Sequence, residues 1–291
     1  MCMIYPEKLL ILQNQNISKD RMENKKVLFI FQEITPYLPE SEKSKIGRFL
    51  PQGIQEMGKE IRTFMPRYGL VNERRNQLHE VIRLSGMNLV IDDTDHPLII
   101  KVASIQAARM QVYFIDNEDY FHRKFTTLDK EGKSFEDNDE RAIFYAKGVL
   151  ETVIKLRWAP DLIHCQGWFG AIVPLLIKKS YADDPLFANS KIVYSVHDDA
   201  FTEPFDKGMM NKLINEYISK EDIDVLEEPD YLNINKLAIK YSDGIIKGSP
   251  QIDEQLEKAV NQSGLPVLDY KSEDEYVKAY NDFYDQVLGD E

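Results

Sequence analysis

Short apolar runs alternate with stretches of helical periodicity along most of the chain. The strand candidates are 26–31, 60–65, 98–103, 110–115, 161–165, 191–196 and 243–247. Several, such as Lys26–Phe31, are short and continuously apolar, as strands covered on both faces are. Between them lie helices. Ile46, Phe49, Leu50, Gly53, Ile54 and Met57 mark one helical face closed by Gly58, with Pro51 expected to kink the helix or sit near its start. A long helix over about 138–157 follows Ser134 and buries Ala142, Tyr145, Ala146, Val149, Leu150, Val153 and Ile154. Further helices are expected at about 169–179, 209–219, 233–241 and 251–260. Strand–helix alternation at this spacing predicts a mostly parallel α/β sheet wrapped by helices.

Two regions depart from that rhythm. The stretch 79–115 is richer in strand and in Asp-Asp turns, and is read as an antiparallel insertion. After a connector at Gly264–Tyr270, the residues Tyr276, Ala279, Tyr280, Phe283 and Val287 form a final amphipathic helix. The expected organisation is an N-terminal extension at 1–24, with Met22 as an alternative start, one Rossmann-like domain at 25–265, and a linker with its helix at 266–291. No internal repeat or low-complexity segment is present.

Composition narrows the partners. The chain has 291 residues, 43% hydrophobic and 29% charged, as an ordinary globular protein does, and a net charge of −13. That balance argues against nucleic-acid and anionic-membrane partners, which require clustered Lys and Arg. Two cysteines, Cys2 and Cys165, cannot build a disulfide framework and fit a reducing cytoplasm. No apolar stretch approaches the roughly 20 residues of a membrane span. The five scattered histidines and the lack of a Cys pair support no metal site. Neither a Gly-x-Gly-x-x-Gly nor a P-loop motif occurs, which argues against a dehydrogenase or an NTPase, and no cofactor is expected.

A series of segments carries a resemblance: Glu33–Pro36, Leu50 and Pro51, Met65–Gly69, Val112–Asn117, Phe121 with Arg123, and Asp137 and Asn138 with Arg141. It continues through Trp158–His164, Trp168 with Ala171 and Pro174, Ser195–His197, Asn235 and Lys236, Tyr241–Asp243, and Ser249 and Pro250. In this order and near this spacing, the series resembles the N-terminal half of bacterial glycogen and starch synthases, over about residues 25–255. Those are retaining glucosyltransferases that use ADP-glucose and have two facing Rossmann-like domains, the GT-B fold. The resemblance implies sugar- or acceptor-side roles for Asp137, Asn138, Arg141, Trp168 and His197. Bland readings stand beside these. Trp168 at a helix start also fits core packing, and His164 within a strand fits a satisfied core histidine. Asp116 and Asn117 before a helix fit an N-cap, and Cys165 fits a buried structural thiol.

The departures from the family decide the functional expectation. The family's Lys-Thr-Gly-Gly-Leu-Gly-Asp stretch falls on Pro39, Glu40, Ser41, Glu42, Lys43, Ser44 and Lys45. Pro39 has no N–H to give a donor's diphosphate, Glu40 and Glu42 face it with like charge, and Ser41 restores a side chain where glycine allows close approach. Lys43 and Lys45 are the only compensating charges. The family's last His in its His-Ala-His-Asp-Trp-His run is Phe169 here, which can form no hydrogen bond to a sugar hydroxyl. Acids, Asp198 and Asp199, follow His197. The resemblance also implies a second, donor-binding domain, expected to lie outside these 291 residues, while the terminal helix packs back as in GT-B enzymes. The expectation is a non-catalytic, cytoplasmic protein of glycogen metabolism that contacts an α-glucan or a full-length glycosyltransferase. The alternative is an active glucosyltransferase moving glucose from ADP-glucose to an α-1,4-glucan, alone or with a partner chain that supplies the donor domain.

Overall fold

A computed structural model describes residues 24–289; the expected N-terminal extension lies outside them. The first strands and helices in chain order are β1 (Lys26–Ile30), α1 (Glu42–Glu56), β2 (Glu60–Pro66), α2 (Glu73–Asn76), β3 (His79–Glu80), β4 (Met87–Ile91), β5 (Thr94–Ile105) and β6 (Met110–Asp116). They are followed by α3 (Glu118–Phe121), α4 (Asn138–Leu156), β7 (Leu162–Gln166), α5 (Ile172–Lys179), β8 (Lys191–Val196) and α6 (Met209–Leu213). The last are α7 (Tyr231–Lys240), β9 (Gly244–Lys247), α8 (Glu254–Gln262), β10 (Val267–Leu268) and α9 (Tyr276–Leu288).

The strands run in the order β10-β9-β8-β7-β1-β2-β6-β5-β3, with β4 paired to β5. From β10 to β6 every pairing is parallel, and β3, β4 and β6 pair antiparallel with β5. The expected α/β fold and its antiparallel insertion are therefore both present. Asp92 and Asp93 join β4 to β5 with φ of 47° and 60°, as a tight two-residue hairpin turn requires. Strand order reverses between β1 and β7. The crevice beyond their C-terminal ends is where open sheets of this kind receive ligands.

The helices differ from expectation where local hydrogen bonds compete. The 209–219 helix stops at Leu213, because the Asn215 side chain takes the N–H groups of Tyr217 and Ile218 into a turn. The 251–260 helix starts at Glu254, where the Asp253 carboxylate caps Gln255 and Leu256. Residues 168–170 form a 3-10 turn ahead of α5. In α1 the buried face is Ile46, Leu50 and Ile54, whereas Phe49 and Met57 are exposed. Pro51 lies inside α1, which continues to Glu56 without the hydrogen bond that an N–H at 51 would supply.

The terminal helix α9 packs on the domain. Gly53 makes this possible, since a Cβ there would lie 2.3 Å from Cγ1 of Val277. Tyr276, Tyr280, Phe283 and Tyr284 are buried in the common core. Burial of Phe283 alone contributes about 1.5–3 kcal/mol before ordering entropy is set against it. The Tyr284 hydroxyl reaches Nδ1 of His164 at 2.7 Å, and Ser195 Oγ contacts the other ring nitrogen. His164 is thus a satisfied core histidine, and burial followed by repulsion from His197 lowers its pKa to about 3. Among the described residues, no helix is long and apolar enough to cross a membrane.

Candidate functional site

The turn after β1 becomes the start of a helix. Ser41 is the N-cap of α1: its Oγ accepts from Ser44 N at 3.0 Å, and Ser44 Oγ accepts from Ser41 N at 2.8 Å. Two serines thereby satisfy each other's backbone amides reciprocally. Ser41 Oγ also donates to Glu33 Oε2 at 2.7 Å, which ties the cap to the end of β1.

From the first turn of α1, Lys43 reaches across the strand-end crevice. Its Nζ lies 2.9 Å from Asp199 Oδ2, 3.6 Å from Glu33 Oε1 and 3.5 Å from Gln32 Oε1. The Lys43 and Asp199 side chains are only 15% and 8% exposed, so the pair is largely shielded from water. Burial pulls the ammonium pKa down, but Asp199 and Glu33 more than offset this and leave it above its ordinary value. On the far side, the Tyr231 hydroxyl of α7 is 3.0 Å from Asp199 Oδ1 and 2.6 Å from the His197 carbonyl.

His197 is walled in. A Cβ on Gly248 would lie 2.2 Å from its Cε1, so only glycine lets the backbone just after β9 pass so close to the ring. Its Nδ1 is 3.5 Å from Ser249 Oγ, which donates to Glu42 Oε2 at 3.0 Å. Its Nε2 is buried without a partner among the described residues. Burial, and then the Lys43 charge, lower its pKa to about 3, so the ring is neutral near pH 7. Gln166 is buried at the end of β7, with neither side-chain polar atom hydrogen-bonded among the described residues.

The crevice is poorly suited to an anion. Glu33, Glu40, Glu42 and Asp199 surround or flank it, and Lys43 is already engaged by carboxylates. At an effective dielectric of 20, a phosphate charge about 4 Å from one carboxylate is opposed by about 4 kcal/mol.

Asp137, Asn138 and Arg141 come together in a second cluster. Asp137 forms a two-point ion pair with Arg123, one contact at 2.6 Å. Asn138 bridges the Thr127 carbonyl and Arg141 Nη1, at 2.9 and 2.7 Å. Arg141 is buried between Tyr68, Phe121 and Phe135, with Nε bonded to the Tyr120 carbonyl and Nη2 without a partner among the described residues. Burial lowers its pKa to about 10. Trp168 is 4% exposed and packs on Phe169, Phe201 and Phe205, and Phe169 in turn meets Tyr68 and Tyr145. Trp168 and His197 do not join the Asp137 cluster, and Tyr68 lies under the Arg141 guanidinium on one side and meets Phe121 and Phe169 on the other.

Elsewhere, Asn117 caps α3 by accepting from Asp119 and Tyr120 N–H groups. Cys165 is buried, with its thiol pKa pushed up by desolvation. Among the described residues no cluster of His, Cys, Asp or Glu is arranged for a metal ion. Gln32 and Tyr231 are site residues that the sequence reading did not name, and Glu33, Asp199 and Ser249 were named there without a place in this crevice. Gln32, Glu33, Asp199 and Ser249 follow the C-terminal ends of β1, β8 or β9, and that position in a parallel sheet was the available signal.

Comparison with known proteins agrees with this architecture. The family model described as "Starch synthase catalytic domain" matches residues 26–267. A glycogen synthase of Chlorobaculum parvum is 34% identical over 236 residues, covering 80% of this chain and 47% of that protein. One from Chlorobium limicola is 38% identical over 177 residues, covering 60% and 36% respectively. The chain thus spans at most about half the length of these relatives. In fold it is similar to the catalytic domain of starch synthase IV from Arabidopsis thaliana bound to ADP and acarbose, with a TM-score of 0.70 at 16% identity, covering 85% of this chain and 51% of that one. With the family model matched across β1 to β10, this chain belongs to the starch synthase catalytic domain family.

Proposed function

We propose that this chain serves α-glucan metabolism as a binding or regulatory protein that does not itself transfer glucose from ADP-glucose. The carrying observation is the loop at the end of β1, where Lys43 is locked between Asp199 and Glu33 and the serines close a helix cap. A nucleotide-sugar donor needs backbone amides and free cations at its diphosphate, both to bind and to stabilise the leaving group. Here the cation is neutralised internally, and Glu40 and Glu42 present like charge. The glycogen synthases among its relatives supply the substrate class, an α-glucan, which is the partner assigned here.

The test uses the purified full chain with labelled ADP-glucose and a glycogen primer, together with a native gel containing glycogen. The expected result is no label in glycogen and retarded migration in the gel. Incorporation of label by the purified chain overturns the non-transferring reading. Unretarded migration overturns glucan binding and leaves a full-length glycosyltransferase as the partner to seek by pulldown.

A further inference from the structure

We infer that β4 is a self-recognition edge: two copies of this chain join there as an antiparallel, two-fold ribbon that continues the sheet from one copy into the other. The inference is independent of what the strand-end crevice binds.

β3 and β4 run along the same side of β5, with His79 and Glu80 opposite Val102 and Lys101, and Met87–Ile91 opposite Leu98–Thr94. Together they form the outer edge of the sheet at that end. β3, and β10 at the other end, are two residues each and too short to template another strand, whereas β4 has five. Open strand edges are ordinarily blunted by charge or proline. The β4 strand, Met-Asn-Leu-Val-Ile, carries neither.

The hairpin fixes which groups are open. Ile91 and Thr94 flank the Asp92–Asp93 turn and form the hydrogen-bonded pair that closes it. Alternation then turns the backbone groups of Met87 and Leu89 toward β5, and aims the N–H and C=O of Asn88 and Val90 away from it. Lys147 of α4 donates to the Val90 carbonyl at 3.0 Å, as that direction requires, and uses one of the two lone pairs of the oxygen. Leu89 and Ile91 are buried on one face, whereas Val90 is 53% exposed on the other.

A second copy satisfies these groups in one register. With Leu89 facing its counterpart on the two-fold axis, Asn88 of each copy pairs with Val90 of the other, and each pair exchanges both of its main-chain bonds. A slip of one residue turns Leu89 to the wrong face. The same register sets Ser85 and Gly86, just ahead of β4, opposite Asp93 and Asp92. The charges there are complementary. Asp92 and Asp93 are exposed and make no ion pair with the described residues, and neither does Arg83, exposed in the turn that leads to Ser85. The two-fold axis therefore carries the free guanidinium of each copy to the free acidic tip of the other, and the match occurs twice.

The test is sedimentation velocity of the full chain at rising concentration in low salt. A contact of one short strand lies at the small, transient end of interfaces, below about 1,200 Å², so the series extends to about 0.5 mM. The expected result is a monomer–dimer equilibrium with no larger species, since an isologous contact closes on itself. Arg83→Glu is expected to weaken the dimer at least tenfold. Asp92→Asn with Asp93→Asn, which keeps residues suited to positive φ, is expected to weaken the wild-type dimer severalfold but to strengthen that of Arg83→Glu. That reversal of sign cannot come from a loss of fold. Val90→Pro removes an edge N–H at a position where proline is tolerated, and is expected to leave the chain monomeric with little change in its thermal midpoint. A chain that stays monomeric to about 0.5 mM, open-ended assembly, a dimer unmoved by Arg83→Glu or Val90→Pro, or aspartate substitutions with the same sign in both backgrounds overturns the inference.

Discussion

Replacing Lys43 with methionine removes its ammonium from between Asp199 and Glu33. At 2.9 Å and an effective dielectric of 20, the Lys43–Asp199 attraction is about 6 kcal/mol before desolvation is set against it. Breaking a buried pair typically destabilises by about 3–5 kcal/mol. Here Tyr231 still donates to Asp199, and Glu33 keeps Ser41, so a loss of about 2–4 kcal/mol is expected. In a domain of this size that corresponds to a fall of about 4–8 °C in Tm. The assay is urea and thermal unfolding followed by circular dichroism, for Lys43→Met, Asp199→Asn and the double variant. The double variant is expected to recover about 1.5–3 kcal/mol relative to additivity. Because the folded Lys43 pKa is raised, its contribution is complete below the unfolded value of about 10.4 and is lost only as pH rises through the folded value. The difference between wild type and Lys43→Met should therefore be flat from pH 7 to 9. A Lys43→Met variant within about 0.5 kcal/mol of wild type, or strict additivity in the cycle, would refute the account of the crevice as internally neutralised.

Gly248→Ala drives a methyl into the buried His197 ring and is expected to destabilise by about 2–3 kcal/mol in urea; a change below about 0.5 kcal/mol would mean the ring yields freely. His164 and His197 are both lowered to about 3, so between there and about pH 6.5 the unfolded chain binds more protons. Their stabilising effect is thus lost as pH falls below about 6.5, at about 1.4 kcal/mol per pH unit each, and His197→Gln should remove about half of that slope between pH 6 and 5. Tyr284→Phe leaves Nδ1 of His164 without its partner, with an expected loss of about 1–3 kcal/mol; equal stability would show that this hydrogen bond does not help hold the terminal helix.

The sheet was legible because its strands are short apolar runs whose pattern reflects burial on both faces. Lys26–Phe31 and Lys191–Val196 announce themselves regardless of what lies beside them. Helix ends were less legible. The Asn215 turn and the Asp253 cap depend on single side chains that outbid propensity locally. The altered loop was visible as a sequence, Pro39 to Lys45, and its lack of glycine together with its two glutamates already opposed a phosphate.

What that loop does instead was decided by the tertiary structure. Asp199 lies 156 residues from Lys43, and Glu42 lies 207 from Ser249, so no local pattern could pair them. The sheet order brings the C-terminal ends of β1 on one side and of β8 and β9 on the other to the same crevice, and only then do these charges meet. Residue type and periodicity set which segments are buried, because burial is a local property of each strand and helix face. Which charges neutralise one another depends on distances of a few ångströms between segments far apart in the chain, and only the folded arrangement sets those.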